Sequence, residues 1–381
     1  MNRKYAVIIG AGISGLTAAR ILAEAEYHVT VLEKRSHIGG NVYDYFENGV
    51  LVHKYGPHLF HTNMSHIVEF LQRFSEFFPY EHRVLGEVQG KLIPIPFNYK
   101  SIDLLYAAGQ AQQLKEVLSK AYPCGESVAV MELRGHKDPQ VRALAEFVYQ
   151  NVFYGYTKKQ WGKPPQELDG SVMGRVPVRM SYDDRYFTDD FQMMPSLGYT
   201  AMLERMADHE NIAVRYECDA FLYLKLQEGQ VYLDGERFDG PVIYTGCLDE
   251  LFGCRYGRLP YRSLDFVLER RGITQAQPAV QVNYPNRFSY TRTSEFHLVQ
   301  QDPVKGRTIL VYEYPKECED GDLPYYPVES EESRNIYQKY RMLAGQIPNL
   351  YLAGRLAEYR YYNMYLAIDR AMRLAYEMIK I

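Results

Sequence analysis

Apolar residues in this chain recur at two rhythms, short unbroken runs and stripes spaced three or four apart. The run from Tyr5 to Ile9 is long enough for a buried parallel strand and too short for most helices. It stops at Gly10-Ala11-Gly12-Ile13-Ser14-Gly15, and Leu16 to Leu22 then carries a helical stripe. A second run, Val29 to Leu32, ends on Glu33. Each glycine has its own task in such a turn. Gly10 makes the tight bend, Gly12 lets backbone N–H groups approach a pyrophosphate, and Gly15 lets helix and strand pack closely. Glu33, at the tip of the second strand, is placed to accept hydrogen bonds from a ribose. The unit reads as a dinucleotide site, and an empty strand–turn–helix is the plainer alternative.

Beyond it, residues 42–52 alternate around Glu47-Asn48-Gly49, a hairpin signal. Ile67, Val68, Leu71 and Phe74 predict a helix over 65–78. A hairpin is expected over 83–91, with Gly86 and Gly90 as turn candidates, broken by Pro94-Ile95-Pro96-Phe97-Asn98. The stretch from 100 to 160 turns helical. Asp138-Pro139 is an N-cap followed by proline at the first helical position, and Val141, Leu144, Ala145 and Val148 share a face. Residues 200–209 resume helix, and the runs 212–216 and 242–246 return to the first sheet as strands. From Tyr261 the pattern alternates again over 279–284, 290–292 and 308–314, predicting an antiparallel sheet. Asp322 to Pro327 is a stiff aromatic loop, 350–355 a last buried strand and turn, and a terminal helix follows.

Gly39-Gly40-Asn41, six residues past Glu33, extends the first motif in the manner of the FAD branch of the fold rather than the NAD branch. The expected class is therefore α/β: an FAD-binding Rossmann-like domain with an inserted helical domain and an antiparallel β-sheet domain. Its pieces are discontinuous. The cofactor domain is expected from 1–80, 205–258 and 340–381, the helical domain from 98–165, and the sheet domain from 81–97, 166–204 and 259–339.

With 381 residues, 24% charged and 46% hydrophobic, the chain is globular, and a net charge of −4 argues against a general nucleic-acid binder. Five scattered cysteines, none at metal-ligand spacing, favour a reducing compartment. Arg20 and Glu24 follow the first apolar run too soon for a membrane span, so a cytoplasmic protein is expected. His58 and His61 lie three apart among aromatics, but no third ligand completes a zinc-like set; packed histidines beside the cofactor are the expectation.

Two constellations point to a second ligand. Tyr156, Thr157 and Trp161 fall within six residues, a grouping suited to a flat ring held between aromatic faces, although a lone tryptophan is more commonly a core plug. Arg175, Arg262, Arg292 and Arg355 each sit beside tyrosine, proline or glycine at the end of an extended stretch. With Tyr186, Tyr326 and Tyr361, such guanidinium forks and phenols suit a diphosphate.

The strings Glu33-Lys34-Arg35, His37-Ile38-Gly39-Gly40-Asn41, His53-Lys54-Tyr55-Gly56 with His58, Phe60, His61 and Thr62, and Gly155-Tyr156-Thr157 with Lys159-Gln160-Trp161-Gly162 resemble the bacterial UDP-galactopyranose mutase family. The resemblance runs from Gly10 to Met364. It implies an isomerase that interconverts UDP-galactopyranose and UDP-galactofuranose. Reduced FAD would attack the anomeric carbon through N5 with no net redox change. It implies flavin contacts from Gly10, Gly12, Ser14, Gly15, Glu33, Lys34, Gly40, Asn41, His58, Leu59, His61 and Asp219, and from Gly354, Arg355, Tyr362, Asn363 and Met364. Arg292 and Arg175 resemble the diphosphate arginines, with Arg175 on a closing segment, and Tyr186, Tyr326 and Tyr361 the diphosphate tyrosines. Tyr156, Thr157, Trp161 and Asn283 resemble the uridine and sugar side; His82 and Arg262 complete the expected substrate set. His58, Arg175 and Arg292 are the expected catalytic residues. A homodimer with a small nucleotide-sugar substrate, and neither nucleic acid nor membrane as partner, follows from the same likeness. Departures touch the sugar end: His82 stands where Asn is common, Asn363 where Asp is often found, and Pro57 where Ala is usual. The other readings are a mutase acting on UDP-N-acetylgalactosamine or dTDP-fucose, an ordinary flavin oxidoreductase, and a scaffold of the prenyl-GTPase chaperone kind.

Overall fold

A computed structural model describes residues 4–167 and 177–380. Its centre is a parallel sheet of five strands, in spatial order Ile212–Arg215, Tyr27–Leu32, Lys4–Ile9, Val242–Tyr244 and Leu350–Leu352. The unbroken apolar run at 5–9 has the middle place, as expected for a strand covered on both faces. The helix Ile13–Glu24 packs against the C-terminal helix Met364–Lys380. Small residues on both, Ala18, Ala19 and Ala23 against Ala371 and Ala375, are buried and let the backbones approach. Strands from widely separated parts of the chain thus complete one sheet, as the runs at 212–216 and 242–246 predict, and the run at 350–352 joins them at the edge.

The second large sheet has seven strands: Tyr326–Pro327, Tyr261–Arg271, Thr308–Glu317, Arg292–Glu295, Gln281–Asn283, Val84–Val88 and Lys91–Ile95. It is antiparallel except where Gln281–Asn283 runs parallel to Val84–Val88. Three local expectations need correction. The helix from Ser65 ends at Gln72, and Phe77–Pro79 instead pairs with Phe191–Pro195. That pairing supplies backbone partners which a continued helix could not have next to Pro79. The hairpin turn uses Gln89 and Gly90, both at positive φ, while Gly86 lies mid-strand against Ile95. Finally, Pro94 and Ile95 extend the second arm rather than break it.

Residues 99–161 are mainly helical, around a core that includes Ile102, Leu118, Leu133, Leu144 and Val148 and that continues into Val84, Val88 and Ile93 of the seven-stranded sheet. The Asp138 side chain accepts from the Gln140 N–H at 2.7 Å, with Pro139 next to it, as the sequence predicts. A short strand, Ser127–Ala129, interrupts the helices and pairs with Pro177–Arg179. Among the described residues, no helix is long and apolar enough to cross a membrane.

Candidate active site

Two adjoining cavities open where the strands of the parallel sheet end. The first, about 250 Å³, is lined at the strand tips by Ile9, Leu32 and Tyr244. Gly10, Gly12, Ser14 and Gly15 form its floor, Glu33, Lys34, Gly40 and Asn41 one wall, and Asp219, Gly354 and Arg355 the rest. Carboxyl ends of parallel strands are where ligands settle in open α/β sheets. Gly10 has φ of 104°, and a Cβ there would collide with the Thr245 hydroxyl. A Cβ on Gly15 would run into the Gly10 carbonyl. Gly12 differs: its nearest neighbour to a Cβ is the Gly40 Cα at 3.8 Å, ordinary contact. The close approach at Gly12 is therefore reserved for something other than protein. Gly12 caps the helix Ile13–Glu24 without any side-chain bond, so the positive end of the helix faces the cavity.

Glu33 is 5% exposed, and its two oxygens accept from the Ala11 N–H at 2.7 Å and the Arg35 N–H at 2.9 Å. The carboxylate is thereby oriented, and each oxygen keeps a lone pair for a further donor.

The second cavity, about 790 Å³, is lined by Leu59, His61, His82, Tyr186, Arg292, Tyr326, Tyr361 and Asn363. Asn41, His58, Tyr325, Arg355, Tyr362 and Met364 line both, so the cavities meet at these side chains. Arg355 organises the junction. It donates to the carbonyls of Tyr362 at 2.8 Å and Tyr325 at 3.4 Å, and lies 4.8 Å over the Tyr361 ring and 5.6 Å over that of Tyr326.

Three histidines around the cavities are held neutral. The His58 Nδ1 donates to the Gly56 carbonyl at 2.9 Å, and the His58 N–H donates to the His53 Nδ1 at 3.2 Å. A carbonyl only accepts, so the neutral ring carries its proton on Nδ1 and presents Nε2 as an acceptor. Burial, with His53, Arg355 and Arg292 nearby, draws His58 down to about 3. Burial likewise draws His53 and His82 down to about 3. His61 bonds to the Asp189 carboxylate at 2.8 Å and stacks on Phe187 with ring centres 3.6 Å apart.

Arg292 Nε donates to Glu313 Oε2 at 2.8 Å. Burial alone would lower the guanidinium pKa, but Glu313 overrides it and holds Arg292 well above its ordinary value. The aromatic residues group beside it. Tyr326 lies 5.6 Å from Tyr361 and 6.2 Å from Trp161, ring centre to ring centre. Tyr156 feels the charge of Arg292, and burial raises its hydroxyl pKa. Asn283 pairs with Arg292 across the strands and accepts from Gln281 at 2.9 Å.

Tyr156, Thr157, Trp161, Asn283 and Arg262 are not among the residues lining these two cavities. Tyr156 lies within charge range of Arg292, Trp161 lies beside Tyr326, Asn283 stands opposite Arg292, and Thr157 is buried. Arg262 takes a different part from the one its sequence context suggests. Its guanidinium donates to the carbonyls of Gln160 at 3.0 Å and Lys159 at 3.3 Å, the C-terminal end of the helix Gly155–Trp161. A buried arginine spent on helix carbonyls is a structural anchor. Arg175 lies outside the described residues.

The UDP-galactopyranose mutase family model matches residues 151–361, and that of an NAD(P)-binding Rossmann-like domain matches 8–74. A probable UDP-galactopyranose mutase of Klebsiella pneumoniae is 36% identical over 100% of this chain and 96% of its own length. The chain belongs to the UDP-galactopyranose mutase family. A dTDP-fucopyranose mutase of Escherichia coli is 34% identical over 98% of both chains, so the family likeness spans two sugars and two nucleotides. The crystal structure of a reduced UDP-galactopyranose mutase superposes with a TM-score of 0.73 over 99% of this chain and 96% of that one. At 17% identity it shows a shared fold.

Within this family member, several lining residues escape the sequence reading. Tyr325 lines both cavities, and Cys218, Phe221 and Glu250 line the first. Glu313 is the larger omission. One signal was available, an acid inside the apolar strand 308–314, but the strand pattern alone does not name its partner.

Proposed function

We propose that the protein interconverts the pyranose and furanose forms of a nucleotide-linked galactose, with UDP as the nucleotide, on reduced FAD and with no net redox change. The observation that carries this is the junction: a dinucleotide cavity runs into an arginine–tyrosine cavity through His58, Tyr362 and Met364. A dinucleotide whose ring end lies at that junction faces a pocket built for phosphate.

The residues fit FAD. The uncapped helix start and the open face of Gly12 would hold a pyrophosphate, and Glu33, fixed by the Ala11 N–H, would accept from a ribose. When bound and reduced, the flavin supplies a nucleophilic N5. The chain supplies orientation and charge. Arg292, with Tyr326 and Tyr361, holds the diphosphate and stabilises the negative charge that grows on it as the anomeric bond breaks. Arg175 is assigned to the same diphosphate from the family resemblance. Neutral His58 offers Nε2 as an acceptor at the flavin–sugar boundary without adding a positive charge there. The reading extends to a cytoplasmic homodimer.

The test is turnover of UDP-galactofuranose by dithionite-reduced protein, followed by chromatography of the nucleotide sugars. Production of UDP-galactopyranose without consumption of reductant is expected, and equal turnover by protein kept fully oxidised would count decisively against it. The Escherichia coli relative motivates a second arm with dTDP-fucopyranose, since His82, Pro57 and Asn363 all line the second cavity. Preference for that substrate would move the assignment within the family.

A further inference from the structure

The helix Gly155–Trp161 carries Tyr156 and Trp161, and the loop 284–291 leads from Asn283 into Arg292. One side chain ties helix to loop. Lys159 Nζ donates to three main-chain carbonyls of that loop, those of Tyr284, of Phe288 at 2.9 Å and of Tyr290 at 3.2 Å. An ammonium has three N–H donors, and all three are directed at loop backbone, with no carboxylate partner among the described residues. Burial lowers the Lys159 pKa to about 8.

The surroundings enforce the same contact. The rings of Phe288 and Tyr290 stack at 4.8 Å, Tyr284 meets both edge-on, and Tyr290 packs edge-on to Tyr312 at 5.0 Å. These aromatics fold the loop into a fixed shape around the ammonium. Asn286 donates to the Asn151 carbonyl at 2.9 Å, and Gly155 lies so close to the loop that a Cβ there would strike Pro285 and Asn286. At its far end the same helix is gripped by Arg262, which occupies the space beside Gly162 where φ is 71°.

We propose that Lys159 is a positioning residue for the nucleotide: by clamping the loop 284–291 onto the helix Gly155–Trp161, it sets the distance between the aromatic side chains of the helix and Arg292. This rests on the functional reading above, which puts Arg292 at the diphosphate, and on the family resemblance, which implies that Tyr156 and Trp161 serve the uridine. A nucleoside diphosphate must engage both at once, and a groove whose two sides are already registered binds it without first ordering a loop.

The experiment compares UDP binding by calorimetry to FAD-loaded, oxidised wild type, Lys159→Met and Lys159→Arg. Lys159→Met keeps the length and removes the donors, so UDP affinity should fall about ten- to a hundred-fold. Flavin content and visible spectrum should match wild type, and Lys159→Arg should recover most of the loss. In steady-state turnover the defect should appear mainly in KM. If Lys159→Met folds poorly, Lys159→Gln, whose shorter side chain has two N–H donors and cannot serve all three carbonyls, should show a smaller loss of UDP affinity at unchanged flavin content. A Lys159→Met protein that binds UDP as tightly as wild type overturns the assignment, as does one whose weaker UDP binding is accompanied by equal loss of FAD. Absence of UDP binding in wild type would instead defeat the functional reading, and is visible before any variant is made.

Discussion

Arg292 and Glu313 stand directly opposite one another on neighbouring antiparallel strands, joined from Nε to Oε2 at 2.8 Å. Glu313 is 2% exposed, and among the described residues its Oε1 has no hydrogen-bond partner. Among the described residues only Nε has a hydrogen-bond partner, so the two terminal amino groups of Arg292 remain for the cavity that the side chain lines. An anchored guanidinium with a free fork is suited to a diphosphate.

Arg292→Ala should therefore be folded, yellow and nearly inactive. Loss of one charge-assisted donor at developing charge costs about 3–4 kcal/mol, or roughly two to three decades of kcat. Arg292→Lys should rescue poorly, because a point charge cannot reproduce a planar fork. A colourless Arg292→Ala would move the residue to the flavin site, and a fully active one would remove it from the substrate cavity.

Glu313→Ala leaves a buried arginine without its carboxylate, which typically costs about 3–5 kcal/mol. Stability by urea unfolding and activity should fall together. The double variant Arg292→Ala, Glu313→Ala should be more stable than the sum of the single losses predicts, since removing both partners leaves no unpaired charge. Strict additivity would show that the two residues do not act as a pair.

The glycines separate ligand space from protein space. Gly12→Val should fold and stay colourless, because a Cβ there meets nothing closer than the Gly40 Cα at 3.8 Å while Gly12 lines the cavity. Gly15→Val should fail to accumulate as folded protein, because its side chain meets the Gly10 carbonyl. Normal FAD content in purified Gly12→Val would refute the pyrophosphate assignment.

Acid should weaken the fold before most carboxylates titrate. His53, His58 and His82 are drawn down to about 3 in the folded chain from an ordinary value of 6.5. Between those values the unfolded chain binds more protons, so stability rises with pH and is lost as pH falls below 6.5. Each such histidine contributes a slope of about 1.4 kcal/mol per pH unit once well below 6.5. Urea unfolding at pH 7, 6 and 5 should show stability dropping over this range. A flat profile would mean that these rings are accessible to protons in the folded state.

The nucleotide end of the site was legible because its requirements are local. A strand, three glycines, a helix and an acid lie within one short stretch, and the turn geometry dictates where glycine must stand. The arginines were less legible. Arg262 and Arg292 have similar neighbours in sequence, tyrosine close by and an extended segment, yet one anchors helix carbonyls and the other lines a cavity. Side-chain period assigns a face to each strand residue but does not say what covers that face.

The amino-acid order alone therefore determined the Rossmann-like unit, the helical stretch from 100 to 160, the N-cap at Asp138 and the family strings around His58 and Trp161. Only the tertiary structure decided the order and register in which distant strands join the first sheet, that Arg292 faces Glu313, and that the two cavities meet at His58, Arg355 and Tyr362. The physical reason is range. Turns and caps are satisfied by atoms a few residues apart, whereas strand register and the pairing of a buried charge are settled only once the whole core has closed around them.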